Sequence, residues 1–114
     1  MRVTETNDAG LRTLIHDHMK VFAKFTSARD CEVCELLSPH FEHFSDDAAY
    51  EGIRFIRLDC DQNPVARKLM NERVAPFFVS YCQGRMLECD TRTTDAEVRA
   101  QLDRLRDYLP MPGV

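Results

Sequence analysis

The sequence predicts an α/β domain with a central mixed β-sheet of four to five strands, flanked by about four helices. Short apolar runs alternate with helical patterns, Gln83-Gly84 joins the last two runs as a hairpin turn, and a final helix follows. Strands that alternate with helices indicate a partly parallel sheet, and the closing hairpin adds antiparallel strands. The predicted order is β-α-β-α-β-α-β-β-α, with helices on both faces.

The bulk composition limits the possible functions. The chain has 114 residues, 44% of them hydrophobic and 30% charged, with a net charge of −4. This length suits a single domain over residues 1–114. The acidic balance, with interleaved charges, argues against a general nucleic-acid binder. Residues 1–10 are polar and no apolar segment could span a bilayer, so we expect a cytoplasmic protein without membrane contact. We also expect it to be a monomer.

The first half of the chain should contain two strands and two helices. They are a short edge strand at 1–5, a helix from a Thr6 or Asn7 cap to about Lys20, a buried strand at 21–26, and a helix from about Cys31 or Cys34 to Ala49. Pro39 lies inside the second helix and should bend it, because proline removes one backbone hydrogen bond. Gly52 should follow the end of that helix.

The second half should contain three strands and two helices. They are a strand at 53–59, a short helix begun by Asn63-Pro64, a strand at 77–81, a return strand at 85–90, and a last helix begun by a Thr94–Glu97 capping box and ended by Pro110 and Pro112. We expect Asn63 to cap its helix and Pro64 to occupy the first helical position. Val98, Leu102, Leu105 and Leu109 share one face of the last helix, which predicts core positions.

Cys31 and Cys34 lie where the strand at 21–26 gives way to the second helix. A helix N-terminus carries partial positive charge and free N–H groups, so a cysteine there loses its proton more easily. Two intervening residues, Glu32 and Val33, let the second sulfur close a disulfide with the first. We favour this redox-active dithiol over two buried structural thiols.

The remaining cysteines and histidines suggest no second site. Cys60, Cys82 and Cys89 lie on or beside predicted strands and are interpreted as small buried hydrophobes, with Cys60 the strongest candidate for an exception. An odd cysteine count without a signal peptide does not suit a secreted disulfide framework. No second Cys-x-x-Cys supplies further zinc ligands, so no metal is expected. His40 and His43 are interpreted as surface residues of an acidic helix.

Four features occur in a fixed order along the chain. They are Cys31-x-x-Cys34 between a strand and a helix, Pro39 five residues later, Asp59-Cys60-Asp61-Gln62-Asn63-Pro64 at the entry to the third helix, and Val74-Ala75-Pro76 before a strand and Gly84. Together they resemble the thioredoxin family, in which an Asp-x-(Asp/Glu)-x-Asn-Pro segment and a cis-proline loop hold these places. The likeness covers roughly residues 3–109.

The resemblance implies a thioredoxin fold and a division of labour between the two thiols. Cys31 would be the exposed attacking thiol and Cys34 the buried resolving thiol, which act on protein disulfides without a bound cofactor. Pro76 would lie in cis beside the sulfurs, with Ala75 and neighbouring backbone available to pair with a substrate chain. Electrons would come from a thioredoxin reductase or from small thiols, in keeping with a role in cell redox homeostasis.

The surroundings of the thiols depart from the family pattern. The chain has no Trp, and Asp30, Glu32 and Glu35 crowd the cysteines with negative charge, which opposes thiolate formation. Thioredoxins proper usually carry Gly-Pro between the cysteines, where this chain has Glu32-Val33. When Cys34 acts as the resolving thiol it must lose its proton, and either Glu35 or water could accept it.

The buried acid that the family places beneath the second cysteine is also missing. Depending on one inserted loop residue, its position falls on Lys24 or on Phe25, and Arg57 stands where the neighbouring strand usually supplies a lysine. Two hypotheses follow. The first is a thiol–disulfide oxidoreductase that uses Cys31 and Cys34. The second is a thioredoxin-fold binding, adaptor or redox-sensing module whose dithiol is not catalytic.

Overall fold

The structure, a computed structural model, describes residues 2–112. In chain order its elements are β1 (Val3–Glu5), α1 (Asp8–Asp17), β2 (Lys20–Thr26), α2 (Glu32–Asp46), β3 (Ile53–Asp59), α3 (Pro64–Met70), β4 (Phe77–Cys82), β5 (Arg85–Thr91) and α4 (Asp95–Asp107). Short 3₁₀ turns at Ala48–Tyr50 and Cys60–Gln62 follow α2 and β3. The predicted α/β class and element order are confirmed.

The strands form one mixed sheet in the order β1-β3-β2-β4-β5. The pairs β1–β3 and β3–β2 are parallel, whereas β2–β4 and β4–β5 are antiparallel. Strand β2 is therefore central and has partners along both sides, which explains why residues 21–25 are all buried. At the end of β4, Gln83 and Gly84 both have positive φ, as a tight hairpin turn requires.

Side-chain alternation along β2 divides the interior between two faces of the sheet. Val21, Ala23 and Phe25 belong to a core cluster shared with α1 and α3, on one face. Phe22 belongs to the cluster shared with α2 and α4, on the other face, where its ring lies 5.7 Å from that of Phe78. Helices cover both faces, as the sequence indicates.

Three helix ends differ from the predictions. Helix α1 ends at Asp17 because Lys20 joins β2, where it pairs with Ile53 and Cys82. Helix α2 ends at Asp46, and the expected continuation to Ala49 is a separate 3₁₀ turn. Leu109 was predicted to lie in the core, but α4 ends at Asp107 and Leu109 is 85% exposed. A residue that precedes proline disfavours helical backbone, which accounts for the early end.

The cap of α3 also differs from the prediction. The Asn63 side chain does not cap this helix. Instead, the Asp8 carboxylate of α1 accepts hydrogen bonds from the backbone N–H groups of Val65 (2.9 Å) and Ala66 (3.0 Å). Asn63 accepts one from the backbone N–H of Asp8 (2.9 Å) and donates to the Asp59 carbonyl (2.7 Å). The N-termini of α1 and α3 therefore cap each other across the fold, whereas the predicted capping box of Thr94 and Glu97 is present in α4.

We expect Asp8→Ala to lower the free energy of unfolding by about 1–2 kcal/mol, because two N–H groups of α3 lose a charged acceptor. Urea unfolding measures this change. Asp17→Ala, at the exposed opposite end of the same helix, is the matched control and should change stability by less than about 0.5 kcal/mol. Equal effects of the two substitutions would contradict a capping role for Asp8.

Candidate active site

The two cysteines of the Cys-x-x-Cys motif lie at the N-terminus of α2, beyond the end of β2. Asp30 adopts left-handed backbone with φ 46°, and Cys31 is the N-cap residue of the helix. Cys31 and Cys34 form a disulfide, with their Cα atoms 5.2 Å apart. The first turn of α2 therefore brings together the two thiols that the sequence singles out.

The two sulfurs have different environments. Cys34 is 3% exposed, whereas Cys31 is only partly buried. The backbone N–H of Cys34 donates to Sγ of Cys31 at 3.2 Å. A donor aimed at sulfur stabilises a thiolate more than a thiol, and the helix N-terminus acts in the same direction. Cys31 thus has both the access and the local electrostatics that a nucleophilic thiol needs.

The loop at residues 74–76 lies against the disulfide. The carbonyl oxygen of Ala75 is 3.7 Å from Sγ of Cys31, and the Ala75–Pro76 peptide bond is cis. Val74 is 65% exposed and Ala75 is partly buried, while Pro76 is buried. The accessible part of this loop is therefore the segment Val74-Ala75, with Pro76 beneath it.

Two residues, one at the end of β5 and one just after it, hold this loop in place, and sequence reasoning did not assign them that role. The Thr91 hydroxyl donates to the Val74 carbonyl at 2.7 Å, and the backbone N–H of Arg92 donates to the Pro76 carbonyl at 3.2 Å. The predicted pairing of the last two strands could have indicated this role, because Phe77, the residue after the proline, lies opposite Thr91. A predicted hairpin thus places the residues after its second strand beside the proline loop.

Beneath Cys34 the structure places Lys24 and not Phe25. Phe25 faces α1 and α3, whereas Lys24 is 1% exposed on the α2 side and its Nζ donates to the Cys34 carbonyl oxygen at 2.9 Å. Burial, followed by the positive charge of Arg57, lowers the pKa of Lys24 to about 8, against smaller opposing effects of Glu42 and Glu5. A buried amine therefore occupies the position at which the family resemblance implies a carboxylate.

Arg57 lies opposite Lys24 in the pairing of β2 with β3. Its guanidinium forms ion pairs with Glu5 and Glu42 and donates to the Ser38 hydroxyl at 3.0 Å. Two carboxylates thus compensate the charge of Arg57. Within residues 2–112, none of the ion pairs shorter than 4 Å includes Lys24.

The acidic residues around the thiols face water. Asp30, Glu32 and Glu35 are all exposed. Their influence on the sulfurs is screened by solvent and is worth less than about 1 kcal/mol each. Val33 instead packs, partly buried, against the α2 and α4 core. The dipeptide between the cysteines therefore has one solvent-facing charge and one residue that anchors the turn.

The other cysteines lie within the fold as free thiols. Cys60 and Cys82 are buried and Cys89 is partly buried. Burial raises the pKa of Cys60, which disfavours its reactive thiolate. This residue was singled out as the strongest candidate for an exception, and the structure buries it.

Within residues 2–112, one group of three neighbouring side chains could supply metal ligands, namely Asp59, Cys60 and Asp61. Its carboxylates already have partners. Asp59 accepts from the backbone N–H of Asp61, and Asp61 accepts from the Ser27 hydroxyl and from Arg67. These bonds hold the turn after β3.

We expect Lys24→Met to stabilise the oxidised protein at about pH 7, where the wild type pays for a buried ammonium. Because the folded-state pKa lies below the unfolded one, the wild-type chain gains stability as pH rises from about 8 to 10.5. The advantage of the variant should therefore shrink by an amount on the order of 2 kcal/mol over that window, after allowance for screening.

Urea unfolding at about pH 7 and about pH 10 measures this difference. Both proteins carry alanine at the three free cysteines, so that thiols exposed on unfolding cannot exchange with the disulfide. Lys68→Met, at an exposed lysine of α3, is the control and should show no such pH dependence. A stability difference between Lys24→Met and wild type that stays constant with pH would contradict the assignment.

Comparison with known proteins identifies the fold. No protein-family model and no curated protein sequence matches the chain. Among solved structures, it is similar to the thioredoxin of Malassezia sympodialis, with a TM-score of 0.81 and 19% identity over 93% of this chain and 95% of that one.

Two further thioredoxins show the same likeness. Mitochondrial thioredoxin 3 of Saccharomyces cerevisiae has a TM-score of 0.80 and 23% identity over 90% of this chain and 95% of that one. Thioredoxin F from spinach chloroplast, in its long form, has a TM-score of 0.81 and 21% identity over 93% and 88%. At such identities the likeness concerns the fold. The chain is a thioredoxin-fold protein that carries a Cys31–Cys34 disulfide at the N-terminus of its second helix.

Proposed function

We propose that this protein is a thiol–disulfide oxidoreductase that acts on protein disulfides through Cys31 and Cys34. The observation that carries the proposal is the asymmetry of the disulfide: an accessible Cys31 at a helix N-terminus is bonded to a buried Cys34. Accessible sulfur is what a protein substrate must reach, and buried sulfur is protected from competing thiols. This is the arrangement that thiol–disulfide exchange requires.

The reaction consists of two exchange steps. The Cys31 thiolate attacks one sulfur of the substrate disulfide, forms a mixed disulfide and releases the other substrate sulfur as a thiolate. Cys34 then loses its proton and attacks Sγ of Cys31, which releases the second substrate thiolate and forms the Cys31–Cys34 disulfide. Two electrons pass to the substrate, and its two thiolates take up protons from water.

The loop at 74–76 is the proposed docking surface for the substrate chain. Its backbone lies beside Sγ of Cys31, and Val74 presents apolar surface to solvent. The acids Asp30, Glu32 and Glu35, which adjoin the two cysteines in sequence, are exposed. Charge complementarity therefore favours substrates with Lys or Arg near the disulfide.

The proposal extends to the electron source and the cellular setting. A thioredoxin reductase or two equivalents of a small thiol would reduce the Cys31–Cys34 disulfide again, so turnover needs no bound cofactor. We place the protein in the cytoplasm, as a monomer that contributes to cell redox homeostasis. Cys60, Cys82 and Cys89 are free thiols, which suits a reducing compartment. Within residues 2–112, no helix has the length and apolar character needed to cross a membrane.

A second candidate function is an adaptor or redox sensor with a thioredoxin fold. The presence of Lys24, a buried amine, beneath Cys34 favours it, because no carboxylate stands there to take the Cys34 proton. Such a protein would form and break the Cys31–Cys34 disulfide without repeated turnover of substrates. The two functions differ in whether a substrate disulfide is reduced catalytically.

We expect Cys31→Ser to reduce the disulfides of insulin, with dithiothreitol as electron donor, no faster than the donor alone. Cys34→Ser should instead accumulate a mixed disulfide between Cys31 and the substrate, since the resolving thiol is gone. Mass spectrometry after acid quenching identifies this adduct. Cys89→Ser is the matched control and should retain wild-type activity.

A redox titration of the wild-type protein distinguishes the two candidates. A reversible two-electron transition near −270 mV would support a reductase, whereas roughly −120 to −180 mV would indicate an oxidant or isomerase. A reversible transition without insulin turnover would favour the adaptor or sensor. No Cys31–Cys34 disulfide at any potential would overturn the oxidoreductase proposal.

A further inference from the structure

We infer that Lys24 is a positioning residue of the dithiol, whose buried positive charge stabilises the thiolate form of the reduced cysteines and makes the disulfide a stronger oxidant. The inference deepens the proposed function and rests on it.

The first argument is position. Nζ of Lys24 is 2.9 Å from the carbonyl oxygen of Cys34, and both residues are at least 97% buried. The carbonyl and the thiol belong to the same residue, so protein and not bulk water separates the ammonium from the sulfur. Screening is weak between such buried groups, in contrast to charges on the surface.

The second argument is the charge balance around Lys24. From β3 it faces Arg57, from β1 Glu5 and from α2 Glu42, and the two carboxylates are ion-paired with Arg57. Its opposite neighbour on β4 is Phe78, and the ring of Phe41 on α2 lies 5.9 Å from Nζ. Within residues 2–112, the contacts of Lys24 are therefore a carbonyl dipole and aromatic surface, with no anion that pairs with it directly.

The third argument concerns what changes on reduction. The disulfide is neutral, so in the oxidised site no anion pairs directly with the ammonium, because Glu5 and Glu42 are paired with Arg57. Reduction adds two electrons and one proton to give one thiol and one thiolate, and the thiolate supplies the missing negative charge. The ammonium therefore favours the reduced form, which shifts the equilibrium with an external thiol toward the dithiol and raises the reduction potential.

The depressed pKa of Lys24, about 8 with the disulfide closed, is consistent with an ammonium that lacks an anion. A thiolate nearby would raise that pKa again, because opposite charges favour each other's ionised form. Reduction and the ionisation of Lys24 are thus coupled. The coupling should appear as a Lys24-dependent component in the pH dependence of the reduction potential between about pH 7 and pH 9.

The test compares wild type with Lys24→Gln, Lys24→Met and Lys24→Arg in glutathione redox buffers. We expect Gln and Met variants to shift the equilibrium about tenfold toward the disulfide, which corresponds to about 30 mV more negative. The rate at which iodoacetamide alkylates Cys31 at neutral pH should fall by a similar factor, because less thiolate is present. Lys24→Arg keeps the charge and should stay close to wild type.

The variants also separate charge from structure. Gln can still donate a hydrogen bond to the Cys34 carbonyl, so a purely structural role predicts that Gln resembles wild type and differs from Met. If the Gln and Met variants shift the redox equilibrium and the alkylation rate away from wild type by equal amounts, and urea unfolding confirms that both fold, the result supports a role for the charge. Lys68→Gln, at an exposed lysine, is the control and should change neither equilibrium nor alkylation. Wild-type equilibrium and alkylation in both the Gln and Met variants would overturn the inference.

These measurements use no protein substrate, so their outcome is independent of whether the proposed function fails. If wild type does not reduce insulin but the Lys24 variants shift both readouts, the oxidoreductase proposal is wrong and the role of Lys24 stands. If wild type reduces insulin and neither readout shifts in the Lys24 variants, the oxidoreductase proposal stands and the inferred role of Lys24 is wrong. Alkylation of Cys31 remains measurable even if no disulfide forms, and it then decides the inference alone.

Discussion

The burial of β2 at the centre of the sheet is the constraint on which the rest of the structure depends. It pairs with β3 on one side and β4 on the other, and residues 21–25 have almost no exposed surface. The register places Phe25 opposite both Leu58 and Phe77. The end of β2, the end of β3 and the start of β4 therefore meet at one edge, where the dithiol turn and the proline loop come into contact.

The same constraint explains how a lysine comes to lie beneath a disulfide. Residues alternate between the two faces of a strand, so the position after Ala23 must face α2 whatever its chemistry. A charged group there would ordinarily be costly. Here the Cys34 carbonyl accepts its hydrogen bond, and the Phe41 ring lies within reach of a cation–π interaction. Glu32 and Glu35, in the first turn of α2, are exposed, so solvent screens their effect on this charge.

The fold persists at 19–23% identity to solved thioredoxins because a few backbone constraints define it. These constraints are a central strand buried on both faces, a helix that begins shortly after β2, and a loop that brings Ala75 to Sγ of Cys31. The identities of Lys24 and Glu32 are not among these backbone constraints. Fold similarity is therefore a poor guide to redox behaviour.

Local pattern by itself determined the element order, the strand at 53–59, the Thr94 capping box and the place of Cys31 at a helix start, because each depends on residues close in sequence. Only the tertiary structure decided which residue lies beneath Cys34, which carboxylate caps α3, and whether Leu109 is buried. These outcomes depend on strand register, on contacts between helices distant in sequence, and on where α4 ends against the sheet. A single sequence contains no local signal for such long-range contacts.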